Sequence, residues 1–183
     1  MLEVQYQVQE TPNPNAKKFI FDFAVKQQGR ASYDEVEQCP HVPLACKLLE
    51  HVDICQVHFF ENKLTITKKA QKEWQEVEGL LEPLLKELIP VHDPHFEEKS
   101  AIDKSHYNVE MHLIDGVLDR EIRPFLQADG GDLQLITYTN HILTIKYQGA
   151  CGGCPSAESG TLEAIVQILR RDFDDKIDVI TIE

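Results

Sequence analysis

Apolar and polar positions recur at strand or helix spacing through most of the chain, and they do so in two blocks. In the first, Lys18-Phe19-Ile20-Phe21-Asp22-Phe23 reads as a strand. The run before it, Thr11-Pro12-Asn13-Pro14-Asn15, excludes regular structure, because proline fixes φ and removes a backbone donor. Leu44, Leu48, Leu49 and Val52 suit a short helix. Residues 54–60 and 63–67 flank Glu61-Asn62 and predict a hairpin. Trp74, Val77, Leu80, Leu81, Leu84, Leu85 and Leu88 then make an amphipathic helix facing a core, with Pro83 in its interior.

The second block begins with Leu113, Ile114, Val117, Leu118, Ile122, Phe125 and Leu126 at helical spacing, with a kink predicted at Pro124. Asp129-Gly130-Gly131-Asp132 is a strong stop. Residues 133–139 and 142–147 are β-rich around Asn140-His141, a second hairpin. Leu162, Ile165, Val166, Leu169 and Phe173 form a helical stripe, and residues 177–182 a closing strand. Between the blocks, Pro90, His92, Pro94, His95 and the charges from Glu97 to Lys104 break every period. The predicted fold class is therefore α+β: two small mixed modules, residues 1–89 and 107–183, joined by a flexible linker over 90–106. The order in the second is helix, strand, strand, cysteine turn, helix, strand. Both halves carry a helix–hairpin–helix order, with no sequence repeat behind it.

Composition narrows the function. The formal net charge is −13 over 183 residues and no segment is basic, so binding to a phosphate backbone lacks its driving force. No apolar run approaches the ~20 residues of a membrane-spanning helix. The start, Met1-Leu2-Glu3-Val4-Gln5, matches neither a secretory signal nor an Arg-rich transit peptide. The cysteine count of five is odd, which disfavours a secreted disulfide framework and fits a reducing compartment. The expected location is cytoplasmic.

The chemistry concentrates in Cys151-Gly152-Gly153-Cys154-Pro155, between the second hairpin and the following helix. Two thiols at this spacing can grip one soft metal centre, and the glycines let the backbone wrap tightly. Pro155 suits a helix start, and a helix N-terminus there would favour the thiolate. Iron–sulfur, zinc and thiol–disulfide chemistry all remain open to such a pair. An iron–sulfur cluster wants four cysteines, so a second chain would supply the other two. A thioredoxin-like enzyme is disfavoured, since one helix and one strand alone follow the motif and no tryptophan stands just before it, Trp74 lying in the other half. Cys39, Cys46 and Cys55 are expected as core or neutral thiols. His92 and His95 are expected to be solvated, Arg123 to be a surface or partner-facing charge, and Asp129 and Asp132 chiefly to frame a turn. No Ser/His/Asp set is visible.

Two signatures together carry a family resemblance. Arg123-Pro124-x-Leu126-Gln127-x-Asp129-Gly130-Gly131-Asp132, then Gly149-Ala150-Cys151-Gly152-Gly153-Cys154-Pro155-Ser156 and Thr161-Leu162, resembles the NifU C-terminal (Nfu) iron–sulfur scaffold domain. Thr11-Pro12-Asn13-Pro14-Asn15-Ala16 with Lys18-Phe19, Pro43-Leu44-Ala45, Val57-x-Phe59-Phe60 and Thr65-Ile66-Thr67-Lys68 is similar to the N-terminal domain that precedes it in many Nfu proteins. Ala157 departs from the family's serine after Ser156, and Val42 from the serine before Pro43.

The resemblance implies a non-catalytic scaffold or carrier that accepts a [4Fe-4S] cluster, with [2Fe-2S] as a transient state. It implies ligation by Cys151 and Cys154 from each of two subunits, a homodimer when loaded, and delivery to apo iron–sulfur client proteins downstream of assembly factors. No nucleic acid or membrane partner is implied. The first module would recognise clients or serve an accessory role.

Overall fold

The computed structural model describes residues 4–51, 53–97, 107–154 and 160–182. The first block forms a five-stranded antiparallel sheet in the order β1-β2-β5-β4-β3. Its strands are β1 (Tyr6–Glu10), β2 (Ala16–Phe21), β3 (Arg30–Tyr33), β4 (Ile54–Phe60) and β5 (Lys63–Lys68). Two helices belong to it, α1 (Pro43–Leu49) and α2 (Trp74–Leu88). Alternation explains how the layers meet. Phe19, Val57, Phe59, Leu64 and Ile66 point into a core shared with Leu44, Leu48, Leu81 and Leu85 from the helices. Both hairpin turn signals hold: Glu61 at φ 52° turns the first, and Asn140 and His141 at φ 52° and 64° turn the second.

The second block forms a three-stranded sheet, β6 (Gly131–Thr139), β7 (Ile142–Gly149) and β8 (Asp178–Ile182), in that order. β6 and β7 are antiparallel, and β8 lies parallel to β7. A parallel neighbour needs a crossover, supplied here by the segment carrying the cysteine turn and α5 (Leu162–Asp172). One face of this sheet packs with α5 and with α3 (Val109–Glu121) around Leu133, Leu135, Leu143, Ile145, Ile114 and Leu118.

The structure differs from the sequence expectations in three places. β1 and β3 were not anticipated, since exposed Gln-rich and short polar runs carry little strand signal. The kinked helix is two helices: α3 ends at Glu121, and α4 (Arg123–Ala128) restarts with Pro124 in its first turn, where a missing N–H costs nothing. The start of the expected linker is packed, not free. Phe96 is buried in the first core, and the His92 ring stacks on Phe59 with centroids 5.5 Å apart while its Nε2–H donates to the Val25 carbonyl at 2.8 Å. His92 is therefore not solvated; residues 98–106 lie outside the described residues. Val42 caps α1 with no side-chain bond, and Pro43 occupies the first turn instead.

The two modules touch. Across the first sheet, registered partners Ser32, His58, Thr65 and Lys18 form a row on the face opposite the core, and all four are buried. A polar row on an outer face ordinarily meets water. Here the second module covers it. Lys18 donates its ammonium to the Ala128 carbonyl, Arg30 pairs with Asp132 at 3.2 Å, and Lys146 with Asp34 at 2.9 Å.

Candidate functional site

The cysteine turn leaves β7 at Gly149, whose φ of 60° suits glycine. Cys151 and Cys154 are both buried, and the Cys154 N–H donates to the Cys151 carbonyl at 3.3 Å, closing the turn between them. The Gly-Gly pair at 130–131 has a role beyond stopping a helix. A Cβ at Gly131 would lie 2.3 Å from the Cys151 sulfur, so only glycine leaves room for that thiol. Cys151 and Gly153 form one wall of a cleft of about 590 Å³, and Cys55, Gln56 and Thr67 of the first module form the other. That Cys55 lines the same cleft as Cys151 gave no signal in the sequence, because the cleft depends on how the modules meet. Cys39 and Cys46 sit elsewhere, in the first core, with their sulfurs 3.3 Å apart.

The helix start expected at Pro155, which was to favour the thiolate, lies outside the described residues, as do Ser156 and Ala157. Burial pushes the Cys151 thiol up to about 12, with further increments from Cys154, Asp132 and Asp129.

Arg123 is a second correction. It is not on the surface but 2% exposed, on the side chain's full length. It meets Asp115 at 2.7 Å, Asp119, and Asp132 at 3.3 Å. Asp132 is wholly buried and also takes Arg30, so one carboxylate ties α4, β6 and the first module together. The signature Arg and the second Asp of the glycine turn are therefore a single ion network beneath the cysteines.

A third feature is Asn13, from the proline-flanked loop. Its side-chain NH₂ donates to the carbonyls of Ala150 at 3.0 Å and Gly152 at 3.1 Å, on the cysteine turn itself. Among the described residues no group of three or more His, Cys, Asp or Glu could hold a metal ion. The chain brings two soft donors to the turn, beside a cleft with room for more than a single ion.

Comparison with known proteins gives this arrangement its family. Residues 114–180 match the NifU-like domain, and residues 6–91 match the scaffold protein Nfu/NifU N-terminal domain. The chain belongs to the Nfu/NifU family. A relative from Drosophila persimilis named "NFU1 iron-sulfur cluster scaffold homolog, mitochondrial" is 32% identical over 82% of this chain and 55% of its own length. "NifU-like protein 4, mitochondrial" of Arabidopsis thaliana is 27% identical over 88% of this chain and 59% of its own. This Nfu/NifU chain spans about half the length of the curated relatives it matches. A crystal structure of a Staphylococcus aureus protein overlaps 43% of the chain and 94% of its own at 18% identity, with a TM-score of 0.39. The expected cytoplasmic location is corrected by these relatives, which are named mitochondrial.

Proposed function

We propose that this protein is an iron–sulfur cluster scaffold and carrier of mitochondria. Residues 107–183 hold the cluster through Cys151 and Cys154, and residues 1–89 assist by contact with that module or with clients. Each chain contributes two thiolates, so a [4Fe-4S] cluster takes two chains, with [2Fe-2S] as a transient form. The loaded homodimer passes its cluster to apo client proteins after receiving it from upstream factors. The protein acts as a carrier, not as a catalyst.

The observation that carries this reading is the glycine-framed turn. Gly131 clears space for the Cys151 sulfur, Cys151 borders an open cleft with Cys154 three positions on, and among the described residues no group of three or more His, Cys, Asp or Glu could hold a metal ion. Delivery is the test. Anaerobically loaded protein mixed with an apo four-iron enzyme should restore that enzyme's activity faster than free iron and sulfide under a chelator. A colourless preparation that reduces or oxidises disulfides catalytically would overturn the proposal.

A further inference from the structure

The Thr11-Pro12-Asn13-Pro14-Asn15 loop is built to present one amide. Asn13 is 1% exposed. Its backbone carbonyl accepts from Ala16 N–H at 2.9 Å and from the Thr11 hydroxyl at 3.0 Å, and its own N–H donates to Thr11 Oγ1 at 3.2 Å. Its side-chain Oδ1 accepts from Asn15 N–H at 2.9 Å. Prolines on both sides restrict the backbone. From behind, the Trp74 indole donates to the Pro14 carbonyl at 2.9 Å, and Lys68 to Asn15 Oδ1 at 3.1 Å. After these local bonds the side chain has two N–H donors left. Both go to the cysteine turn, at Ala150 and Gly152.

The turn is shaped to receive that contact. A Cβ on Gly130 would come within 2.5 Å of the Lys18 side chain, one on Gly149 within 3.1 Å of His58, and one on Gly152 within 3.1 Å of Gln56. Three glycines around the cysteines therefore lie where the first module approaches closely. The ion pairs Arg30–Asp132 and Lys146–Asp34 flank the same join. The join is also imperfectly satisfied. Gln56 Oε1, His58 Nε2, Thr65 Oγ1 and Thr67 Oγ1 are buried without hydrogen-bond partners. Orphaned polar atoms regain water when such a surface parts, which lowers the cost of opening.

We propose that the first module is an intramolecular partner of the cysteine turn, and that Asn13 is the positioning residue that clamps it. The clamped chain keeps Cys151 at the wall of a cleft closed on one side by its own first module. A second chain or a client must displace that module to reach the thiol. The proline loop thus sets how readily the turn is exposed. This inference rests on the cysteine turn being the working site, but it concerns the apo protein and is tested without a cluster.

Asn13→Asp is the informative change. It keeps the Oδ1 acceptor for Asn15 while turning the two donors into an anion facing two carbonyl oxygens. In metal-free, reduced full-length protein, alkylation of each cysteine by iodoacetamide is followed by peptide mass spectrometry. Two hydrogen bonds of ordinary net worth predict roughly a tenfold faster reaction at Cys151 in Asn13→Asp. Cys39, deep in the first core, should stay at the wild-type rate, and small-angle scattering should show a larger radius of gyration. A second variant, Lys146→Glu, sets like charges against Asp34 on partly exposed positions and should expand the scattering radius without disturbing either core. Wild-type Cys151 reactivity in a folded Asn13→Asp chain, or wild-type scattering from Lys146→Glu, would overturn the clamp. If clamp variants open as described and yet no cluster can be loaded, the proposed function fails while the clamp stands.

Discussion

The two modules bury polarity in opposite ways. The second sinks a full charge, Arg123, and surrounds it with the carboxylates of Asp115, Asp119 and Asp132, although Arg123 Nε has no hydrogen-bond partner. The first sinks a row of mostly neutral groups, Ser32, His58 and Thr65, and leaves His58 Nε2 and Thr65 Oγ1 without hydrogen-bond partners. A buried charge network is costly to break at any one member, because the others stay behind unpaired. A loosely satisfied neutral face costs little to part. The module that presents the thiols is thus tied from within, and the weak seam runs between the modules.

Breaking the strong side should give the largest effect. Arg123→Ala leaves buried carboxylates facing each other, with an expected loss of about 3–5 kcal/mol. Denaturant titration should show this loss in the transition of residues 107–183, while the first module's transition holds. Next comes Gly131→Ala. Its new Cβ would fall 2.3 Å from the Cys151 sulfur, so the turn must shift. Overpacking of this kind costs roughly 1–3 kcal/mol, and iron content after anaerobic loading should fall even where circular dichroism is unchanged.

The weak side should answer to pH. Burial lowers His58 from 6.5 to about 4. Between those values the unfolded chain takes a proton that the folded chain refuses. Stability is therefore full above the unfolded value and is lost as pH falls toward the folded one. At pH 5 this term amounts to about 2 kcal/mol. Urea titrations at pH 7 and pH 5 should show the drop, and His58→Gln should flatten it relative to wild type. The smallest effect belongs to Trp74→Phe, which keeps the ring but removes the indole bond to Pro14. About 1 kcal/mol of first-module stability should go with it, along with a modest rise in Cys151 alkylation as the loop loosens.

Much of this was legible in the sequence where a single element decides the outcome. Both hairpins follow from alternation and turn residues, and α2 and α5 follow from their stripes. The cysteine pair was visible from spacing alone. What escaped were features set by residues distant in the chain, between the modules and within the second one. Lys18, His58 and Thr65 alternate with core residues as a solvent face does, so nothing marks them as covered. Arg123 looks like any surface arginine until Asp115 and Asp132, eight and nine positions away in opposite directions, fold around it. Gly131 read as a helix stop because its neighbour in space is Cys151, twenty residues on. The proline loop was correctly read as irregular, but its partner lies beyond residue 149, where no local pattern points.

The proposed function requires two thiols from each of two chains to share one cluster. The direct measurement is anaerobic reconstitution of full-length protein, with iron and sulfide analysis, Mössbauer spectra and the mass of the holo protein in solution. The expected result is one four-iron cluster per two chains, dimeric mass, and loss of the cluster in both Cys151→Ser and Cys154→Ser. Four irons bound per monomeric chain, or a stoichiometric and stable cluster in Cys151→Ser, would contradict it.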